Sequence, residues 1–154
     1  MFRPAIVFFL LLAVPLRANL GESVAECVKR YGTPVGYSEA NAKFPFGTVA
    51  FAAANYTLIV FLLNDHEVGA RISKKDKSAF TDAEMQNIMN ADTDGSPWTV
   101  TTSNDPTCLQ WMRTDQATAL YDKANHVLIF TSTAMKAALK SPPPVPPAKP
   151  GAGP

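Results

Sequence analysis

Two stretches of the chain carry apolar residues at helical spacing directly after a polar start. In residues 24–31 the apolar side chains fall at positions i, i+3, i+4 and i+7, which places them on one face of a helix. Ser23 and Glu26 have the spacing of a capping box, in which each side chain accepts a hydrogen bond from the other residue's backbone N–H. Gly32 and Pro34 then end the pattern, so we predict a helix over residues 23–31.

The second helical stretch begins at Thr81, which forms a capping box with Glu84. Phe80 and Met85 flank this start at the two positions of a hydrophobic staple, which favours a helix beginning at Thr81. A third, short helix is predicted over residues 132–140, because a run of prolines begins immediately afterwards.

Between the helices lie short runs rich in β-branched and aromatic residues, separated by turn residues, which is typical of antiparallel strands. The predicted strands cover residues 44–54, 56–63, 68–73, 98–102, 107–113, 117–121 and 127–131. We therefore expect an α+β fold in which short helices pack on an antiparallel sheet. The capping boxes at Ser23 and Thr81 lie 58 residues apart, and the turn histidines His66 and His126 lie 60 apart. This spacing suggests a tandem α-β-β-β duplication.

The two ends of the 154-residue chain differ from the middle. Residues 1–18 combine an early Arg3 with an apolar run and a small Ala18, a pattern that predicts a secretory signal peptide. Residues 141–154 hold seven of the thirteen prolines, which predicts a disordered, extended tail that serves as a spacer or as a ligand for an aromatic groove. A single domain is left between them, over residues 19–140, and we expect it to be secreted or periplasmic.

Charge and hydropathy limit the partners of this domain. Residues 19–140 contain eleven Lys and Arg against thirteen Asp and Glu with the signs interspersed, so nucleic-acid binding is not expected. No later segment has the length of a membrane-spanning helix. The cysteine of an acylated lipoprotein anchor would stand directly after the signal, where this chain has Asn19. We therefore expect a soluble product without stable membrane insertion after signal cleavage.

The two cysteines, Cys27 and Cys108, are expected to form a disulfide, because an exported protein with an even cysteine count favours one. The alternative is two separate buried thiols, since Cys27 lies on the apolar stripe of the first helix. Trp98 and Trp111 are the two large aromatic anchors: core packing is the default for each, and a partner-facing binding surface is the alternative.

Sequence motifs for catalysis or metal binding are not recognised. Asn90, Asp92 and Asp94 resemble the start of a calcium loop, but position 12 is Thr101 instead of glutamate, so this segment is interpreted as a turn. His66 lies in a predicted solvated turn, and no carboxylate lies in an apolar run that would raise its pKa. We predict no catalytic residues, no metal and no cofactor, and an enzyme is the less favoured reading.

The segment GESVAECVKRYGTPVG, residues 21–36, followed by predicted antiparallel strands, resembles the opening of a group of small exported domains. These domains are the β-lactamase inhibitor protein and the small outer-membrane assembly lipoproteins. The resemblance implies a non-catalytic binding or inhibitor-like module of the periplasm or extracellular space, with a protein partner. The alternatives are a small secreted hydrolase and a structural cell-envelope protein.

Overall fold

A computed structural model describes residues 19–41, 43–92 and 96–140. The predicted signal peptide, the predicted tail and Asp94 lie outside these residues. The described chain is α+β, with three helices and an eight-stranded antiparallel sheet, and the strands contain more residues than the helices. The elements in chain order are α1 (Val24–Tyr31), β1 (Gly36–Ser38), β2 (Gly47–Ala53), β3 (Tyr56–Leu63), β4 (His66–Lys74), α2 (Asp82–Ala91), β5 (Thr99–Thr101), β6 (Cys108–Met112), β7 (Thr118–Asp122), β8 (Val127–Thr131) and α3 (Thr133–Lys140).

Both predicted capping boxes are present. The Ser23 side chain accepts a hydrogen bond from the backbone of Glu26, and the Glu26 carboxylate accepts one from the backbone of Ser23. Thr81 and Glu84 make the same reciprocal pair at the start of α2. These bonds satisfy N–H groups that a helix leaves without partners in its first turn, which explains why both helices begin where the sequence predicts.

The strand order across the sheet is β1-β2-β3-β4-β8-β7-β6-β5. The pairing of β4 with β8, for example Ala70 opposite Phe130, joins the first four strands to the last four. The short strands β1 and β5 form the two edges. Strand β1 lies outside the predicted strands, because its three residues show no apolar alternation. All three are exposed in the structure.

The two faces of the sheet are covered by different helices. One face carries a row of fully buried side chains, Val60, Ala70, Phe130 and Ala119, and packs against α1 and α2 in the main core. The opposite face carries a smaller cluster of Phe46, Val68, Met135 and Ala138, where α3 lies against β4. We call these the α1/α2 face and the α3 face. No helix in the described residues is long and apolar enough to cross a membrane.

A β-bulge in β4 changes which face its residues occupy. Phe61 pairs with Gly69, but the next residue, Leu62, pairs with Glu67, so Val68 is an extra residue in β4. As a result Val68 packs on the α3 face, whereas Glu67 lies opposite Leu62, which belongs to the main core. A bulge commonly redirects a side chain in this way, and here it directs a carboxylate into the α1/α2 face.

Gly69 allows α3 to approach the bulge closely. A Cβ atom at this position would lie 2.5 Å from Met135 Sδ and 2.8 Å from the backbone oxygen of Phe130. Gly69→Ala is therefore expected to lower the free energy of unfolding by about 1–3 kcal/mol, because the backbone of β8 must shift. Urea denaturation measures this loss, and Gly47→Ala is the control, since its Cβ would meet nothing closer than 3.6 Å. Equal stability of the two variants would contradict the expected clash.

The predicted disulfide is not formed, and Cys27 and Cys108 are free thiols. Cys27 is the buried residue of α1 and lies in the main core, close to Glu67 of β4. In β6, Leu109 packs against the main core, so alternation along the strand places Cys108 on the α3 face. The three strand steps from β4 to β6 add about 14 Å, whereas a disulfide requires Cα atoms within roughly 7 Å. The sequence could not show that the two cysteines occupy opposite faces.

Candidate functional site

A groove lies on the α1/α2 face where α2 passes over strands β5 and β6. Its volume is about 240 Å³. One wall is formed by side chains of α2 and the other by side chains of the two strands. Its lining residues are Asp82, Met85, Gln86, Met89, Trp98, Val100, Leu109 and Trp111. We call it the tryptophan groove, because the structure brings both predicted tryptophans together in it.

Trp98 is fixed in the groove wall by three contacts. Its indole Nε1 donates a hydrogen bond to the backbone oxygen of Asp92 at 2.8 Å. Its ring meets the buried Phe130 edge-on, with centroids 5.6 Å apart. The Arg113 guanidinium lies 5.1 Å from the Trp98 ring centroid, within cation–π range. The orientation of Trp98 is therefore set by the fold itself.

Arg113 supports this arrangement from a buried position, with 3 % of its surface exposed. Its Nη1 donates to the Asp92 backbone oxygen at 3.1 Å and lies 3.5 Å from the Asp92 carboxylate. Its Nε and Nη2 bind both carboxylate oxygens of Asp115, at 3.2 and 2.6 Å. The Arg113 hydrogen bonds lower the pKa of Asp115. The guanidinium thus connects the end of α2, the indole of Trp98 and the turn after β6.

Trp111 lies on β6, the strand next to the edge strand β5. In the register it stands between Val100 of β5 and Ala119 of β7. Ala119 is fully buried, whereas Val100 is 73 % exposed, so the apolar row of the α1/α2 face reaches solvent at β5. Both tryptophans are half-buried and pack against the main core. Both side chains therefore contact the core and also line the groove. A binding surface formed by these two tryptophans stays a prediction.

A second polar group of interest lies under α1. The Glu67 carboxylate is 1 % exposed, and the Cys27 thiol donates to its Oε2 at 3.6 Å. Burial, and then the negative charge of Asp92, raises the pKa of Glu67 from the ordinary 4.5 to about 8. Burial, and then the neighbouring Glu67, raises the pKa of the Cys27 thiol to about 12. Both groups are therefore held in their neutral forms near neutral pH.

The sequence did not identify Glu67 or Arg113 as important residues. The expectation that no carboxylate has a raised pKa was wrong for Glu67, because the bulge in β4 turns it into the core. Glu67 lies in a segment interpreted as a solvated turn, and no local pattern distinguishes it. The sequence gives only a weak indication that Arg113 is buried. An oppositely charged pair such as Arg113 and Asp115 at the end of a strand is common on protein surfaces.

The residues that resemble a calcium loop do not form a metal site in the described part of the chain, and Asp92 among them is buried. Asn90 accepts a hydrogen bond from Gln86 one helical turn earlier, and Asp92 turns toward Arg113, so these two side chains do not converge. Asp94 lies outside the described residues. His66 is exposed and His126 is half-buried, and their Nδ1 atoms lie 3.1 and 2.9 Å from the backbone oxygens of Gly21 and Lys77.

Comparisons with known proteins show weak structural similarity to a solved structure. No protein-family model and no curated protein matches the sequence. A crystal structure of a cysteine-rich secretory protein from Staphylococcus aureus is similar with a TM-score of 0.43 and 12 % sequence identity. The similarity covers 79 % of this chain and 47 % of that chain, so the chain spans about half the length of this neighbour.

Proposed function

We propose that the protein is an exported, non-catalytic binding module that captures an extended segment of a partner protein in the tryptophan groove. The observation that carries this proposal is the convergence of Trp98 and Trp111 in one groove at an open sheet edge. Tryptophan is enriched among the residues that dominate binding energy at protein interfaces, especially where it lines a preformed pocket. Trp98 is held in place before any ligand arrives, which reduces the entropic cost of binding.

The size of the groove favours a protein side chain over a whole small molecule. Its 240 Å³ lies below the roughly 300–1,000 Å³ typical of sites for drug-sized ligands. Apolar and aromatic side chains form most of the lining, with Asp82 and Gln86 as the polar members. A large apolar side chain flanked by a basic residue matches this lining, since the basic group can pair with Asp82.

The neighbouring strand offers a backbone contact for the same partner. Strand β5 is an edge strand of three residues, paired on one side with β6. An extended peptide can add to such an edge through main-chain hydrogen bonds while its alternate side chains enter adjacent pockets. Val100 of β5 also lines the groove, so a strand added beside β5 would lie at the groove's open end.

The alternative of a small hydrolase has less support. One candidate nucleophile, Cys27, is buried, and its pKa of about 12 leaves little thiolate at neutral pH. His66, at the start of β4, is exposed and His126 is half-buried, and the Nδ1 atom of each approaches a backbone carbonyl oxygen. A nucleophile activated by a histidine requires the two side chains to be within hydrogen-bond reach.

The experiment is a selection of extended peptides from a random displayed library on the immobilised full chain. We expect the selected peptides to share one large apolar side chain, and Trp111→Ala to weaken their binding at least about 10-fold, as loss of a central aromatic anchor does. Val100→Asp tests the same groove at an exposed rim position, where the variant should fold normally. Isothermal titration measures each dissociation constant.

Tyr37→Asp is the matched control. Tyr37 lies on the same face as Val100, is 67 % exposed, and occupies the opposite edge strand β1. It should leave peptide affinity unchanged. Peptides that bind Val100→Asp and the native chain equally well, or a library that yields no groove-dependent peptide, would exclude this function. A chain lacking residues 141–154 shows whether the proline-rich tail competes for the groove.

We also propose that the chain arose by tandem duplication, in line with the resemblance to inhibitor-like exported domains. The supporting observation is that a capped helix followed by four strands occurs twice in sequence, as α1-β1-β2-β3-β4 and α2-β5-β6-β7-β8. The sheet order is consistent with two such units meeting at β4 and β8. Homologous chains provide the test: their first halves should align with their second halves better than shuffled sequences do.

A further inference from the structure

Three potential metal ligands meet beneath α1, away from the tryptophan groove. One ligand atom from each of Glu22, Cys27 and Glu67 lies within 4.8 Å of the other two. Glu22 directly precedes the N-cap of α1, Cys27 lies in α1, and Glu67 is the residue that the bulge in β4 turns into the core. Residues from two distant parts of the chain therefore converge on one point.

The backbone holds this arrangement rigidly. The N–H of Glu67 donates to the backbone oxygen of Glu22, and the N–H of Gly21 donates to the backbone oxygen of Glu67, both at 2.7 Å. The N–H of Val24 donates to the backbone oxygen of Asp65 at 3.2 Å. Ligands carried by paired backbone segments keep their positions without a metal, which favours a preformed site.

A second, independent observation points to a missing partner at the same place. Oε1 of the buried Glu67 has no hydrogen-bond partner among the described residues, and neither has Oε2 of Glu22. The other oxygen of Glu67 receives only the weak Cys27 S–H donor. Buried carboxylate oxygens without a donor are rare in folded proteins, and each requires a physical explanation such as a bound ion.

We propose that Glu22, Cys27 and Glu67 form a binding site for Zn²⁺. A thiolate with two carboxylate oxygens suits a borderline-soft divalent ion and disfavours Ca²⁺ and Mg²⁺, which bind oxygen ligands. Ligand atoms around tetrahedral zinc lie about 3.3–3.8 Å apart, so atoms within 4.8 Å of one another need to close by only about 1 Å. Three protein ligands leave a fourth position for water or an external ligand.

The surroundings balance the charge and allow entry. The Arg30 guanidinium contacts Oε1 of Glu22. The negative charges of two carboxylates and a thiolate are thus balanced by the positive charges of Zn²⁺ and Arg30. This balance limits the free-energy cost of burying the charges. An open pocket of about 380 Å³ is lined by Glu22, Glu26, Lys29 and Arg30. Because it includes Glu22 of this cluster, we expect a hydrated ion to enter from this side.

Cobalt titration tests the site, because Co²⁺ substitutes for zinc and gives a near-ultraviolet charge-transfer band when a thiolate binds it. We expect the reduced full chain to develop this band with one equivalent of Co²⁺, and Zn²⁺ to abolish it by displacement. Cys27→Ser should lose the band. Cys108→Ser, the matched control with the other free thiol, should keep it. Glu67→Gln should weaken cobalt binding at least about 10-fold.

Thermal unfolding of the same variants provides a second measurement. Zn²⁺ should raise the melting temperature of the native chain and of Cys108→Ser, but not that of Cys27→Ser, because a ligand of the folded state stabilises it. The site would be ruled out by a cobalt band that persists in Cys27→Ser, by one that depends on Cys108, or by the lack of a band in the native chain. Circular dichroism verifies that each variant is folded, and peptide binding in the tryptophan groove is measured separately.

Discussion

Replacing Arg113 with methionine is expected to lower the free energy of unfolding by about 3–5 kcal/mol, the usual effect of removing one partner from a buried ion pair. The Arg113 guanidinium lies beside the Asp92 carboxylate, and Asp92 is only 2 % exposed. Methionine fills much of the same volume but provides no donors, so a buried carboxylate loses its compensating charge. Urea denaturation followed by far-ultraviolet circular dichroism measures the loss.

Arg71→Met is the matched control for this change. Arg71 lies on β4 with its side chain exposed on the α3 face, so its replacement should alter stability by less than about 0.5 kcal/mol. The double variant Arg113→Met/Asp92→Asn should recover part of the loss, because it removes both charges together. Similar stabilities for Arg113→Met and Arg71→Met would show that the buried pair is not a major stabilising contact.

The stability of the metal-free protein is expected to fall as the pH rises from about 5 to 8. Glu67 has its pKa raised from 4.5 to about 8, so between these values the folded chain retains a proton that the unfolded chain releases. Stability is then present in full below the unfolded pKa and declines by up to about 1.4 kcal/mol per pH unit until the folded pKa is reached. Denaturation in a chelating buffer at several pH values measures this slope.

The neighbouring groups agree with this direction. Asp92 and Glu22 raise the pKa of Glu67 by repulsion, whereas the Cys27 hydrogen bond and Arg30 lower it by a smaller effect than burial. Glu67→Gln should flatten the pH dependence between 5 and 8, because glutamine cannot titrate. Glu39→Gln, at an exposed position, should keep the native slope. A native slope that persists in Glu67→Gln would exclude Glu67 as the source of the pH dependence.

The sequence predicts those parts of the fold that depend on local interactions. The capping residues Ser23 and Thr81 act within four residues of themselves, and both helices begin where predicted. Strands β3 and β8 match their predicted runs, since each is a continuous apolar β-type segment. Strand β1 was not predicted, because it forms by pairing with β2. Its three residues are exposed and carry no apolar pattern that indicates a strand.

The candidate sites were predictable only in part, for the same reason. Tryptophan is a conspicuous residue, so Trp98 and Trp111 could be selected, but their meeting in one groove depends on where α2 crosses the sheet. The position of Glu67 depends on a single extra residue in β4, which reverses the face that the side chain occupies. The same uncertainty about faces led to the unformed disulfide between Cys27 and Cys108.

The central pairing of β4 with β8 has a consequence for folding kinetics. Every other pairing in the described sheet joins strands that are neighbours in sequence, so each half can form through short loop closures. Gly69 and Thr131, in contrast, must meet across 61 intervening residues. Contacts of such long sequence separation slow folding, because the entropy of closing the loop is lost before the pairing stabilises it. We therefore expect the association of the two half-sheets to set the folding rate, and substitutions at the β4–β8 pairing to slow folding more than substitutions at either edge.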